Sequence, residues 1–173
     1  EEALIAKAIR TVPGALPVLL PRHAERRAEV TADLEGCGFE VVLRSRFAPA
    51  ADPDRAAFVI DSTGELRDWT AHADLVVIGK SFLGRGGQNP VEAIAAGVPV
   101  VCGPYMENFE PLIGQLRASS GVWSVESSVD LPQALSGLLE SAGERKRLVA
   151  EARAVLTIHG GATQRTVGLL QQL

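Results

Sequence analysis

The feature that most constrains the fold is an alternation running through the first three quarters of the chain. Short aliphatic runs at 16–20, 39–43, 58–60, 75–78, 98–102 and 121–125 are separated mostly by segments whose apolar residues recur at helical spacing. Residues 1–12 show that spacing in Leu4, Ile5, Ala8, Ile9 and Val12. Brief aliphatic strands that alternate with helices join as right-handed βα units, which build a parallel sheet covered by helices on both faces. The expected fold is therefore α/β and Rossmann-like. Aromatics make up only 5% of residues, which speaks against an antiparallel sandwich.

Beyond 125 the pattern is helical, with helices expected at 129–141, 143–158 and 162–172, broken at Gly143 and at Gly160-Gly161. A chain of 173 residues fits one domain, 1–173, and buries roughly 70% of its unfolded surface. Doubly wound domains start on a strand, whereas this chain starts on a helix, so the first strand of the sheet is expected to be absent. In a 3-2-1-4-5-6 sheet it would lie between the strands ending at Leu20 and Ile60. The sheet is then gapped, closed directly or completed by a neighbouring chain.

Composition removes several function classes. A net charge of −4 gives no electrostatic footprint for nucleic acid. The run Arg145-Lys146-Arg147 reads as a solvated helix face. Cys37 and Cys102 do not form a metal-type pair and point to a reducing compartment; Cys102 ends an aliphatic run and reads as core. No apolar run reaches the roughly 18 residues that span a bilayer, and no signal peptide precedes the first helix, so the expectation is a soluble chain. His72 and His159 lack metal-ligand spacing, and no metal site is assigned.

Ligands of parallel sheets bind beyond the carboxyl ends of the strands. Three loops at such ends carry chemistry: Arg22-His23, the run from Asp61 to Leu66, and the run from Lys80 to Asn89. In the last, Gly84, Gly86 and Gly87 precede Gln88-Asn89-Pro90 and a short apolar helix ending at Gly97. Glycines leave backbone N–H groups uncovered, Asn89 suits an N-cap, Pro90 suits the first helical position, and the helix N-terminus favours a phosphate. Glu92 either caps that helix or grips a ligand hydroxyl. Gly79-Lys80-Ser81 resembles the end of a P-loop, but Asp74 stands where a glycine is required; Lys80 with Ser81 reads as a loop near an anionic ligand. Arg22 and His23 can hold a phosphate or base, or else cap a helix and pair with a surface acid. The main chain of Gly64, Glu65 and Leu66 can read a planar base, or else Thr63 simply starts a helix. No G-x-G-x-x-G or G-x-S-x-G is present in the required context.

With these residues in place, the chain resembles the C-terminal, donor-binding domain of bacterial 3-deoxy-D-manno-octulosonic acid (Kdo) transferases, two-domain glycosyltransferases of GT-B architecture. The family's PRHPER appears as Pro21-Arg22-His23-Ala24-Glu25-Arg26, and its DTMGEL as Asp61-Ser62-Thr63-Gly64-Glu65-Leu66. Its GGS-x-x-x-RGGHNPLE appears from Gly79 through Glu92, and its GKPVLxGPHxxNF from Gly97 through Phe109. The departures are Gln88 and Tyr105 for histidines and Lys80 for a glycine, which leave the donor sugar open.

The resemblance implies an inverting, metal-independent transfer from CMP-Kdo to a lipid A precursor at the cytoplasmic face of the inner membrane, with no cofactor beyond the donor. It implies a separate N-terminal domain carrying the acceptor site, the general base and the membrane anchor, and no catalytic residue within this chain. On that reading Gly86, Gly87, Gln88 and Asn89 hold the CMP phosphate, flanked by Arg22 and His23. The Gly64–Leu66 turn reads the base, and Glu92 holds ribose or sugar hydroxyls. The work of this half is electrostatic, stabilising the departing phosphate. Rival readings are a UDP-sugar transferase or nucleotide-sugar epimerase on the same architecture, and a non-catalytic nucleotide-binding module.

Overall fold

Strands of two to four residues carry this α/β fold, which the computed structural model describes over residues 1–48 and 52–159. They are β1 (Val18–Leu19), β2 (Glu40–Leu43), β3 (Ala56–Val59), β4 (Val76–Val77), β5 (Val100–Cys102) and β6 (Trp123–Ser124). The helices are α1 (Glu2–Arg10), α2 (Arg27–Gly36), α3 (Leu66–Ala71), α4 (Val91–Ala96), α5 (Leu112–Ala118), α6 (Leu131–Glu140) and α7 (Ala142–His159). All described strand pairs are parallel, as the alternation requires. The helix expected at 162–172 lies outside the described residues.

Two three-stranded sheets form, in the orders β1-β3-β2 and β4-β5-β6. β1 and β3 hydrogen-bond directly, with Val18 opposite Phe58 and Leu19 opposite Val59. Of the three expected outcomes, direct closure is therefore the one found between the strands ending at Leu20 and Ile60. Among the described residues no ladder joins the two sheets, whose edges are β1 and β2 in one and β4 and β6 in the other. Hydropathy marks where strands lie but does not say which edges pair, so β2 was free to take the outer place beside β3.

Burial explains the strand types. β5 is the middle strand of its sheet and is buried throughout, so it reads as an unbroken aliphatic run. Its alternate side chains serve opposite faces: Val100 and Cys102 pack with α4, α5 and α7, while Val101 packs with α1 and α6. β1, by contrast, is an edge, and Val18 is exposed.

One helix spans both halves. Ala6 of α1 packs with Val30, Leu34, Ala57 and Val59 of the first sheet and α2. Ala8 and the following Val12 pack with Val101, Leu131 and Leu135 of the second sheet and α6, and Ile9 touches both clusters. Alanine at 6 and 8 keeps those faces of α1 thin, which allows close approach on two sides.

The C-terminal helices form a capped pair. Arg145 donates through Nη1 to the carbonyls of Leu138 and Leu139, both at 2.6 Å, closing the end of α6. It is half-buried, unlike exposed Lys146 and Arg147. The expected solvated face therefore holds for the latter two alone.

Candidate donor site at the strand ends

The glycine loop after β4 folds back on the segment after β5. Gly86 and Gly87 are buried with φ of +102° and +68°, a region L side chains rarely occupy. A Cβ on Gly86 would lie 2.7 Å from Asn108 Cγ, and one on Gly87 would meet the Met106 sulfur. Both positions therefore require glycine for conformation and for space.

The loop's own N–H groups are largely spent inside the protein. Gly86 donates to Glu107 Oε2 at 2.8 Å, Gly87 to the Lys80 carbonyl at 3.0 Å and Gln88 to the Gly79 carbonyl at 3.1 Å. Val91 donates to Asn89 Oδ1 at 3.0 Å. Ser81, Leu83 and Gly84 donate to the Glu1 carboxylate at 3.1, 3.0 and 3.1 Å. The expectation that N–H groups of Gly86 to Val91 receive a phosphate thus meets internal acceptors on four of them. What the loop offers outward is side chains.

Those side chains divide cleanly. Lys80, Gln88 and Asn89 are exposed, and Glu92 is half-buried. Helix α4 starts at Val91, with Pro90 at the cap position and Asn89 just before it, one residue later than the spacing suggested. Glu92 makes no capping bond and has no hydrogen-bond partner among the described residues. Ser81 is the opposite case: it is fully buried, donates its Oγ to the Ile78 carbonyl at 2.6 Å and accepts the Gly103 N–H at 2.9 Å. Its hydroxyl builds the loop. Lys80 sits at φ +58°, where the resembling family has glycine, at a cost of about 1 kcal/mol. Arg85 lies over the Tyr105 ring at 5.4 Å, so Tyr105 serves as a seat for a cation.

The segments after β1 and β3 complete the rim. Arg22 and His23 are exposed, and neither side chain has a partner among the described residues. Gly64 is exposed at φ +87° with open space about it. Helix α3 starts at Leu66, with Glu65 rather than Thr63 at its cap position and no side-chain cap bond. The Glu65 carboxylate is occupied: it accepts Ser62 Oγ at 2.7 Å, Trp69 Nε1 at 3.0 Å and Arg44 Nε at 3.3 Å. The Ser62 and Trp69 bonds, then the Arg44 charge, hold its carboxyl below the ordinary range. That leaves main-chain groups of 64–66 and the exposed Leu66 side chain to meet a ligand.

Asp61, at the head of the 61–66 run, anchors the neighbouring turn, accepting Ser45 N–H at 2.9 Å and Ser45 Oγ at 2.5 Å. The Ser45 hydroxyl, aided by its N–H, holds the Asp61 carboxyl below the ordinary value. A lowered folded value means stability that is present above about pH 4 and lost as pH falls through the lowered value. The expected result is that Asp61→Asn narrows the difference in Tm between pH 7 and pH 3 measured by circular dichroism. An unchanged difference would remove Asp61 from the acid response.

Two shallow clefts flank this framework. One, of ≈ 520 Å³, lies beside the glycine loop between Glu1, Leu4, Leu83 and Val129. The other, of ≈ 440 Å³, lies at the entry to β4 and β5 beside Asp74, Pro99, Lys146 and Arg153. Among the described residues no three His, Cys, Asp or Glu side chains gather as a metal would require. His72 places Nδ1 2.7 Å from the Asp68 carbonyl, a local helix contact. No described helix is long and apolar enough to cross a membrane.

Comparison with known proteins gives this rim a context. No family model matches the chain. It is 34% identical over 99% of its length to a 3-deoxy-D-manno-octulosonic acid transferase of Bordetella pertussis, covering 42% of that protein. It is 33% identical over 99% of its length to the Haemophilus influenzae enzyme of the same name, covering 41% of it. The crystal structure of the C-terminal CMP-Kdo binding domain of WaaA from Acinetobacter baumannii superposes with a TM-score of 0.79 at 26% identity, over 90% of this chain and 82% of that one.

The chain is similar in sequence to Kdo transferases and in fold to the C-terminal domain of one of them. It spans about two fifths of the length of these relatives. The Rossmann-like, GT-B fold class expected from sequence holds for this domain, while its described strands pair as two separate sheets.

Proposed function

We propose that this chain is the donor-binding half of a glycosyltransferase that moves Kdo from CMP-Kdo to a lipid A precursor in lipopolysaccharide biosynthesis. The observation that carries the reading is the match, in both sequence and fold, to Kdo transferases and to a CMP-Kdo binding domain. The rim supports it in detail. Arg22, His23 and Lys80 supply exposed cationic or ionisable groups for the phosphate, and Gln88 and Asn89 supply amides. Gly64 to Leu66 offer main chain to the base, and the unpaired carboxylate of Glu92 accepts from ribose or sugar hydroxyls. Because the loop N–H groups are taken, side chains are assigned the phosphate.

Transfer is inverting and needs no metal or cofactor in this proposal. Negative charge that develops on the departing phosphate is met by fixed cationic and amide groups. The acceptor, the general base and the membrane anchor are assigned to a separate N-terminal domain working at the cytoplasmic face of the inner membrane. Proximity across the domain cleft can supply roughly 7–11 kcal/mol of the barrier, so the 173 residues alone are expected to give no product. Nucleic acid is not a partner in this reading.

The test is nucleotide protection of the full-length protein. CMP is expected to raise Tm and UDP to leave it unchanged. Protection by UDP alone would move the chain to a UDP-sugar transferase or epimerase. No protection by either nucleotide would favour a module without chemistry.

A further inference from the structure

The two halves of the donor rim come from different sheets, Arg22-His23 following β1 and the 79–92 loop following β4. No strand pairing joins those sheets among the described residues. Two adjacent carboxylates at the start of α1 reach one half each. Glu1, with a side chain 12% exposed, accepts Ser81 N–H on Oε1 and both Leu83 and Gly84 N–H on Oε2. Glu2 accepts Arg26 Nη1 on Oε1 at 2.8 Å, and Arg26 closes the Pro21–Arg26 segment that carries Arg22 and His23.

We infer that Glu1 and Glu2 are positioning residues that form a bracket, setting the glycine loop and the Arg22-His23 segment at the separation the nucleotide donor requires. The inference rests on the donor-domain reading above. Three backbone donors converge on one carboxylate, and only an acceptor with oxygens on both arms satisfies them all. Glutamine has the same shape but a single oxygen, so its NH2 must face at least one of the three N–H groups. Neither carboxylate needs to touch the donor. Glu1 fixes the loop and Glu2 the Pro21–Arg26 segment, which leaves their exposed side chains to the ligand.

The control is built into the same cluster. Arg26 also makes a bidentate pair with Glu29, Nε to Oε2 at 3.1 Å and Nη2 to Oε1 at 2.8 Å. Glu29 lies on α2, three residues along, so that pair ties Arg26 only to its own helix.

In the full-length enzyme, Glu1→Gln is expected to raise the Kd for CMP and the donor KM about tenfold, the scale of one lost charge-assisted bond. The acceptor KM and the kcat at saturating donor should stay as in wild type. Amide exchange at Ser81, Leu83 and Gly84 should quicken. Glu2→Gln should act in the same direction, more weakly, and keeps the test open if Glu1→Gln misfolds. Glu29→Gln should leave CMP affinity unchanged. A wild-type protein that does not bind CMP overturns the donor reading and this proposal with it. Wild type that binds CMP while folded Glu1→Gln, or Glu2→Gln where Glu1→Gln does not fold, stays within twofold of it overturns the bracket alone. A fall in Tm with CMP affinity unchanged does the same, because it reduces the carboxylates to fold stability.

Discussion

Gly103→Ala is expected to lower Tm by about 10 °C, corresponding to about 3 kcal/mol for a domain of this size. Gly103 follows β5 and is buried against the loop after β4. A Cβ there would sit 2.7 Å from the Ser81 carbonyl carbon and 2.9 Å from Phe82 Cδ1, and closer still to the Ser81 oxygen. Backbone cannot swing aside as a flexible side chain can, so the clash must separate the two loops. Separation also breaks the Gly103 N–H to Ser81 Oγ bond. Gly137→Ala is the matching control, lying within α6 with nothing within 4 Å of its Cβ position. There alanine should stabilise by about 0.5–1 kcal/mol, through reduced backbone entropy in the unfolded chain. Differential scanning calorimetry reads both, and a Gly103→Ala protein melting within 2 °C of wild type, roughly 1 kcal/mol, would contradict the packing described.

Glu92→Gln is expected to leave Tm within about 1 °C and to raise the donor KM of the full-length enzyme roughly 10- to 100-fold. The split follows from the absence of any hydrogen bond to Glu92 from the described protein. A side chain with no hydrogen bond in the fold costs it little when its charge is removed, no more than its attraction to the N-terminus of α4. In the donor complex the same charge would accept hydroxyl hydrogen bonds, and those are the bonds glutamine weakens. Steady-state kinetics against donor concentration gives the answer. An unchanged donor KM would remove Glu92 from the site.

Local features of this rim were legible in the chain. The pair Gly86-Gly87, the stop at Gly97 and the loop-to-helix junction at Asn89-Pro90 each follow from backbone conformation, and Gly97 does take a left-handed φ of +82°. Cys102 was readable as core and is fully buried. Helix α5 had a signal that went unused: Leu112, Ile113 and Leu116 carry helical spacing between Pro111 and Ser119. Contacts between distant segments were not legible. Glu1 meets residues more than 80 positions away, and Glu107 meets Gly86 from 21 positions on. Hydropathy says nothing about such bonds, because each carboxylate reads locally as one more charged residue. The same reason hid the spent state of the loop N–H groups, which glycine content alone suggested were available. Strand order failed for a related reason, since β2 and β3 carry equally apolar runs and only packing chose which lay beside β1.

The lack of a ladder joining the two sheets, among the described residues, has a mechanical consequence. Within each sheet, hydrogen bonds fix strand against strand in length and direction, and sliding by one residue would break them all at once. Between the sheets, the apolar contacts of Ala6, Ala8, Ile9 and Val12 are non-directional, and directional ties at the start of α1 come from the Glu1 and Glu2 carboxylates. Such apolar contacts resist being pulled apart far more than being sheared. A glide of one half-sheet past the other along α1 would therefore break no strand ladder among the described residues. A nucleotide touching both halves, as proposed, would add a tie across them that no strand ladder supplies among the described residues.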